Sequence, residues 1–274
     1  MYKTIYKNSV YEHESKDEKY NFDLLNTDTI GKRIIRYKIV DSTNTVAKLL
    51  LLSEEKEGTV IISDAQDKGR GRLNRTWISK ENTGIWMSII LKPDDLPTAA
   101  YKYNFMTAVV VCDSINELTG KNTKIKWPND ILFNGKKICG ILCELVSLKN
   151  GEYALIIGLG INSKLDTMDI PKGLKDKITC IYDLDSQVSN NILLIKVLEN
   201  FDKAYLAYKK GQYDIFQLWK ENNCTINNNV RVNLGNGQII EGLVKDVNEY
   251  GQLSIMLDNG NIEVITTGDV NLIG

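Results

Sequence analysis

Residues 69–77 read Gly69-Arg70-Gly71-Arg72-Leu73-Asn74-Arg75-Thr76-Trp77, with two glycines and three arginines in the first seven positions and a tryptophan at the end. The run before it, Thr59-Val60-Ile61-Ile62, has the β-branched, apolar character of a buried strand, and so does the run after it, Ile85-Trp86-Met87-Ser88-Ile89-Ile90-Leu91. A Gly/Arg loop held between two strands brings backbone N–H groups and guanidinium forks into one small volume, which suits a bound carboxylate or phosphate. A short basic loop is equally what a solvated turn or a nucleic-acid contact looks like, and on this stretch alone both readings stay open. It is not a Walker loop, since no Gly-Lys-Ser/Thr follows, nor a dinucleotide fingerprint, which needs a third glycine opening a helix.

Working outward, Ile34 to Val40 reads as a strand and runs into Asp41-Ser42-Thr43-Asn44, after which Val46, Leu49 and Leu50 fall at helical spacing. Ser42, Thr43 and Asn44 are helix-capping residue types, so they read either as a plain cap or as polar groups aimed at a ligand near a helix N-terminus. Tyr101 to Leu118 reads as a long buried helix stopped by Gly120. Lys124-Ile125-Lys126-Trp127 alternates like a strand, Pro128 stops it, and Asn129-Asp130 follow. Asn134-Gly135 then turns Ile131–Phe133 into a hairpin with Lys137–Val146, with Gly140 inside the second strand. Tyr153 to Ile157 reads as another strand, running out into Gly158-Leu159-Gly160-Ile161-Asn162, either a tight sheet exit or a close approach to a ligand. Residues 163–188 read as a long loop, and Ser189 caps a helix to about Lys210, followed by a short one from Tyr213 to Glu221. From Asn223 onward, short strands at 230–234, 239–244, 253–257 and 262–265 alternate with Gly/Asn turns, the pattern of a small antiparallel barrel.

The chain is expected to divide into an N-terminal appendage at 1–30, read as a poorly ordered arm, a catalytic part at 31–222 and the small barrel at 223–274. A net charge of -1 gives no global basic field for nucleic acid or an anionic membrane. No apolar run reaches the ~20 residues of a membrane helix, and Met1 to Lys7 lacks the apolar core of a signal peptide, so a cytoplasmic location is expected. The five cysteines form no Cys-x-x-Cys pair, and Cys112 and Cys139 read as small core residues. The single histidine, His13, lies in a polar segment, which argues against Ser/His/Asp chemistry and a histidine metal site.

Four motifs therefore stand in order at strand ends: Asp41-Ser42-Thr43-Asn44, Gln66-x-x-Gly69-Arg70-Gly71-Arg72, Lys126-Trp127-Pro128-Asn129-Asp130 and Gly158-x-Gly160-Ile161-Asn162. Over roughly residues 30–274 the sequence resembles the biotin protein ligases, with the Gly-Arg-Gly-Arg and Lys-Trp-Pro-Asn-Asp pair the specific signal. With too few leading residues for a winged helix-turn-helix domain, it resembles the monofunctional type. The resemblance implies an α+β fold, a mixed, mainly antiparallel sheet packed with helices like that of class II aminoacyl-tRNA synthetases, plus a C-terminal Src-homology-3-like barrel. It implies an AMP-forming ligase that joins biotin to ATP as biotinyl-5′-AMP and passes biotin to a lysine of a biotin carboxyl carrier domain. It implies that Ser42, Thr43, Asn44 and Gln66 hold the biotin head group beside the backbone at Gly140 and Gly160. Gly69, Arg70, Gly71 and Arg72 would wrap the carboxylate and adenylate phosphate, with Lys126 as the main catalytic cation and Arg70 and Arg72 beside it. Trp77 would line the nucleotide side, Asn129 or Asp130 would lie near the nucleotide, and Asn162 and Asp130 would lie near a magnesium ion brought with ATP. Trp127 is expected to be core.

The sequence departs from the family at Leu73, where another basic residue is usual, at Asn74, where glycine is usual, and at Ile178-Thr179-Cys180-Ile181, a loose match to the adenylate-covering loop. Asparagine tolerates φ > 0 next best after glycine, so the loop should keep its shape. Without ligand, its like charges should face one another and leave it mobile. Two rivals remain: a lipoate or octanoate ligase on the same fold, against which the polar Ser-Thr-Asn and Gln66 cluster counts, and a non-catalytic biotin sensor. No DNA or membrane partner is expected, and an edge strand is open to a second copy or to the carrier.

Overall fold

The computed structural model describes residues 10–12, 20–165, 170–171, 173–235 and 237–273. An eight-stranded mixed sheet forms the larger part. In chain order its elements are β1 (Val10–Glu12), β2 (Ile34–Val40), helix α1 (Thr43–Leu51), β3 (Val60–Gln66), β4 (Gly84–Leu91), helix α2 (Ala100–Thr119), β5 (Lys124–Lys126), β6 (Asp130–Phe133), β7 (Lys136–Ser147) and β8 (Tyr153–Asn162). Helices α3 (Ile181–Leu184), α4 (Asn190–Lys209) and α5 (Ile215–Asn222) follow. The last part is a five-stranded antiparallel sheet of β9 (Asn229–Asn233), β10 (Ile239–Val247), β11 (Leu253–Met256), β12 (Ile262–Ile265) and β13 (Asp269–Leu272). The strand orders are β1-β2-β3-β4-β8-β7-β6-β5 and β12-β11-β10-β9-β13. Among the strands of the described residues, β2 and β3 alone pair in parallel, joined across α1.

The central strands are covered on both faces, which explains their unbroken apolar runs: every residue of β4 is buried. On one face α2, α4 and α5 form the main core with Trp127, Phe201 and Trp219. On the other, α1 lays Val46, Ala47 and Leu51 against Ile61, Ile90 and Ile156. Local signals place the ends. Helix α2 stops at Gly120 in the left-handed region (φ 64), and Asn134 (φ 48) with Gly135 (φ 75) makes the tight turn between β6 and β7. Ser189 accepts the Ile192 N–H at the start of α4. Cys112 and Cys139 are fully buried, and burial pushes the Cys112 thiol up to about 11.

The expected arm at 1–30 needs correction in part. Residues 1–9 and 13–19 lie outside the described residues, but 20–30 are built into the core. Tyr20 and Ile30 are buried, and the Asp202 carboxylate of α4 accepts the N–H groups of Asp28, Thr29 and Ile30 at 2.7–2.9 Å. A fixed carboxylate under three consecutive donors holds a segment that has no periodicity of its own. Two strand assignments also change. Strand β8 continues through Gly158 and Gly160 to Asn162, because β7 and β4 pair with it throughout. The last strand, β13, was not anticipated.

Candidate active site

One cavity of about 680 Å³ lies at the ends of β3, β7 and β8, beneath the Gly/Arg loop and beside β13. The four motifs meet there. Of the residues singled out from sequence, all but Gly69 line it. Gly69 stands behind the wall, where an added Cβ would fall 2.2 Å from the Trp77 carbonyl oxygen.

One end of the cavity is neutral, polar and buried. Ser42 occupies the N-cap of α1, yet its side chain makes no cap bond and faces the cavity instead. Thr43 donates its N–H to Gln66 Oε1 at 2.8 Å, and Gln66 Nε2 donates to Ser79 Oγ at 2.7 Å. Ser88 Oγ lies 2.7 Å from Thr43 Oγ1 and 2.6 Å from Asn44 Oδ1. Asn44 Nδ2 donates to the Leu142 carbonyl and to Glu144. A Cβ at Gly158 would lie 2.4 Å from Asn44 Oδ1, so the bare backbone there makes room for this side chain. Gly140 and Gly160 pair across β7 and β8, and the indole of Trp77 rests on both, 2.8 Å and 2.5 Å from where their Cβ atoms would stand. The indole N–H of Trp77 is buried with no partner among the described residues. A buried, unpaired donor at a cavity wall is the group a ligand acceptor can satisfy.

The other end is cationic. Lys126, Lys137, Arg70, Arg72 and Arg75 converge on it, and each has a counter-group. Arg70 pairs with Glu144 at 2.8 Å, and the same oxygen takes Lys48 at 2.6 Å. Arg72 donates to Asn129 Oδ1 at 3.3 Å and to Thr267 Oγ1 at 2.8 Å. Arg75 binds Asp269 through both guanidinium nitrogens, at 2.6 and 2.8 Å. Lys126 donates to the Val270 carbonyl at 3.1 Å and lies 3.4 Å from Asp130. Lys137 lies 2.6 Å from Asp130, and its ammonium sits 4.9 Å over the Trp77 ring. The arginines diverge onto separate partners, Arg70 onto Glu144, Arg75 onto Asp269 and Arg72 onto the neutral oxygens of Asn129 and Thr267, and the Arg75 charge still bears on Arg72. Burial alone would raise the Glu144 carboxyl, but bonds from Lys48 and Asn44 and the nearby Arg70 charge hold it below the usual carboxylate range. Asp269 likewise sits low, its burial outweighed by Arg75, Lys126 and Lys137. Burial draws Arg72 below the ordinary arginine value.

The donor set does not suit a metal ion held by protein. Both oxygens of Asp130 face ammonium groups, and the Asn162 amide donates to the carbonyl oxygens of Thr179 and Lys137. No cluster of three or more His, Cys, Asp or Glu among the described residues could hold one. Asp130 balances Lys126 and Lys137, and the Asn162 amide nitrogen anchors the 178–180 segment. Asn129 also has structural work: Nδ2 donates to the Ile141 carbonyl at 2.5 Å. Trp127 is core, as expected, with Nε1 donating to the Gly251 carbonyl. The loop is tighter than its departures suggested, with Leu73 (φ 53) and Asn74 (φ 57) both left-handed.

Sequence reasoning missed Ser79, Ser88, Glu144, Lys137, Thr267 and Asp269. Ser88 carried a signal: it is the one polar residue within Ile85–Leu91. Asp269 carried none, since its partner is 194 residues away in sequence.

A sheet with a split neutral and cationic cavity at its strand ends is the architecture of a carboxylate-activating ligase, and comparison with known proteins agrees. Residues 37–162 match the model of the Biotin/lipoate A/B protein ligase family, and 225–272 match the Biotin protein ligase C terminal domain. The bifunctional ligase/repressor BirA of Bacillus subtilis is 35% identical over 250 residues, 90% of this chain and 76% of that protein. The biotin–[acetyl-CoA-carboxylase] ligase of Mycobacterium tuberculosis is 27% identical, over 78% of this chain and 79% of that one. The biotin protein ligase of Aquifex aeolicus in complex with biotin and ATP superposes with a TM-score of 0.72 at 29% identity, covering 88% of this chain and 99% of that one. The chain belongs to the biotin protein ligase family.

Proposed function

We propose that this protein is an ATP-dependent biotin protein ligase. The observation that carries the reading is the cavity itself: a buried neutral cluster at one end, and a cluster of cations that includes Lys126, Lys137, Arg70, Arg72 and Arg75 at the other, in a chain whose relatives are named for this activity. The neutral end suits an uncharged cyclic urea with both donors and acceptors, offered by Ser42, Thr43, Asn44 and Gln66. The cationic end suits a carboxylate meeting a triphosphate. In the first step a biotin carboxylate oxygen attacks the α-phosphorus of ATP and pyrophosphate leaves. In the second, the amine of a carrier lysine attacks the acyl carbon of the mixed anhydride and AMP leaves.

Both reactants of the first step are negative, so cations fixed in advance supply the main catalytic effect. Lys126 is assigned to the carboxylate and α-phosphate, with Arg70, Gly71 and Arg72 around them. Trp77, whose plane already carries the Lys137 ammonium, is assigned to the nucleotide. Magnesium enters as part of the ATP substrate, not as a protein-held ion. The carrier domain of a biotin-dependent carboxylase is the acceptor. Residues 31–222 supply the reacting groups, and 223–274 close the cavity from the side. No helix among the described residues is long and apolar enough to cross a membrane.

The test is pyrophosphate release from Mg-ATP with biotin or octanoate and no carrier. Release with biotin alone supports the reading. Release with octanoate moves it to the lipoate branch, and binding of biotin without release makes the protein a sensor.

A further inference from the structure

Strand β13 is the part of the site with no counterpart in the four motifs. It is an edge strand of the small sheet, but it is not loose. Asp269, Val270, Asn271 and Leu272 pair with Asn233 to Val230 of β9, and Val270 is buried in the common core. Its connection to the larger sheet is rigid as well: Trp127 N–H donates to Thr225 Oγ1 at 2.8 Å, and Cys224 N–H to the Ile125 carbonyl at 2.8 Å. Against this fixed support stand three cations. Lys126 reaches the Val270 carbonyl, Arg72 reaches Thr267, and Arg75 is held by the Asp269 carboxylate.

The Gly/Arg loop needs such an anchor. Its backbone passes through two consecutive non-glycine left-handed residues, Leu73 and Asn74, a conformation a free chain rarely keeps. Leu73 is half exposed and buries nothing that would hold it there. Inside the loop, Gly71 N–H donates to the Arg75 carbonyl at 2.7 Å and Arg75 N–H to the Arg72 carbonyl at 3.1 Å. Fixing Arg75 therefore fixes the turn from Gly71 to Arg75, from which Arg72 projects.

We infer that Asp269 is a positioning residue of the ligase: from the C-terminal sheet it latches Arg75 and so sets the Gly/Arg loop over the cavity before any ligand arrives. It touches no reacting atom. The inference rests on the proposed reading for its catalytic consequence, but the latch can be tested without it. A small domain that contributes one carboxylate in this way couples its own position to the catalytic loop, so a partner that shifted the small sheet would also loosen the loop.

The test uses the full chain with Asp269→Asn, Arg75→Gln and the exchanged pair Arg75→Asp with Asp269→Arg. In the absence of ligand, tryptic cleavage after Arg70 and Arg72 should quicken about fivefold in either single variant, the upper end for a partly exposed ion pair. The exchanged pair should return it to within about twofold of the starting protein, and the gap should close at high salt. With biotin and ATP, escape of preformed biotinyl-5′-AMP should quicken by the same factor and return with the exchanged pair. A residue that served only stability would lower the melting temperature and leave loop cleavage and adenylate escape unchanged. Unchanged cleavage in Asp269→Asn and Arg75→Gln overturns the latch. If the starting protein forms no adenylate, the ligase reading falls, and the cleavage comparison still decides the latch.

Discussion

The two ends of the cavity are held by different physics. At the neutral end Ser42, Thr43, Asn44 and Ser88 are all buried, and short hydrogen bonds among Thr43, Asn44, Ser88 and Gln66 fix the orientation of those four. At the cationic end Arg70 and Arg75, with side chains at 45% and 57% of full exposure, are held by ion pairs, and Arg72 is more covered and bound to neutral oxygens. A buried neutral network keeps one geometry, because any broken bond leaves an unsatisfied group. Exposed ion pairs cost little to exchange, so ligand anions can displace Glu144 from Arg70, while Asp269 keeps Arg75 by two contacts. The difference teaches a division of roles. One end selects the substrate by shape and hydrogen bonding, and the other supplies charge and must let go.

The sharpest way to break that comparison is to remove a cation that is held less by exchangeable acids than by the frame. Lys126 is such a residue, well covered and directed to a backbone carbonyl. Lys126→Ala should lower biotin-dependent exchange of pyrophosphate into ATP by roughly 10²–10³-fold, in the range for removing one fixed charge-stabilising group. Its melting temperature should stay close to that of the starting protein. Near-normal exchange would mean that Lys137 or the arginines carry the charge. A large loss of stability with normal exchange would turn Lys126 into a structural residue.

The neutral end should respond in the opposite sense. Ser88→Ala removes the hydroxyl shared by Thr43 and Asn44 at a fully buried position. It should cost about 1–3 kcal/mol of stability, the penalty for leaving buried partners unmet. Biotin affinity should fall with it, while the rate of adenylation at saturating biotin should change little. Denaturant unfolding and the dependence of exchange on biotin would measure both. A variant with full stability and weakened biotin binding would show that Ser88 acts on the ligand directly.

How far the sequence was legible divides along the same line. The strands, α2 and the hairpin turn at Asn134-Gly135 could be read because each rests on local periodicity or on a turn type, and the residues of the four motifs through their resemblance to a family. Ser42 and Asn44 could be placed for the same reason. Glu144, Lys137 and Asp269 could not. Their meaning lies in partners 74, 7 and 194 residues away, brought together only by sheet pairing. Strand β13 was missed because Asp269-Val270-Asn271-Leu272 is short, mixed in character and defined by its place beside β9. The segment at 20–30 was missed because Asp202, not its own pattern, orders it.

The smallest effect discriminates between the ends by acid. Glu144 and Asp269 both sit below the usual carboxylate range in the folded protein, so the folded state binds their protons less readily than the unfolded chain does. Their contribution to stability is therefore complete above the ordinary carboxylate values, near pH 4, and is lost as pH falls through their lower folded values. The neutral network carries no ionisable group of its own and meets one only where Asn44 donates to Glu144. Melting temperature should thus fall less steeply below about pH 4 in Glu144→Gln combined with Asp269→Asn than in the starting protein. Ser88→Ala should keep the starting protein's slope at a lower absolute stability. Parallel acid profiles for all three proteins would mean that the ion pairs of the cationic end add nothing to folding. The latch formed by Asp269 would then have to be argued from loop cleavage alone.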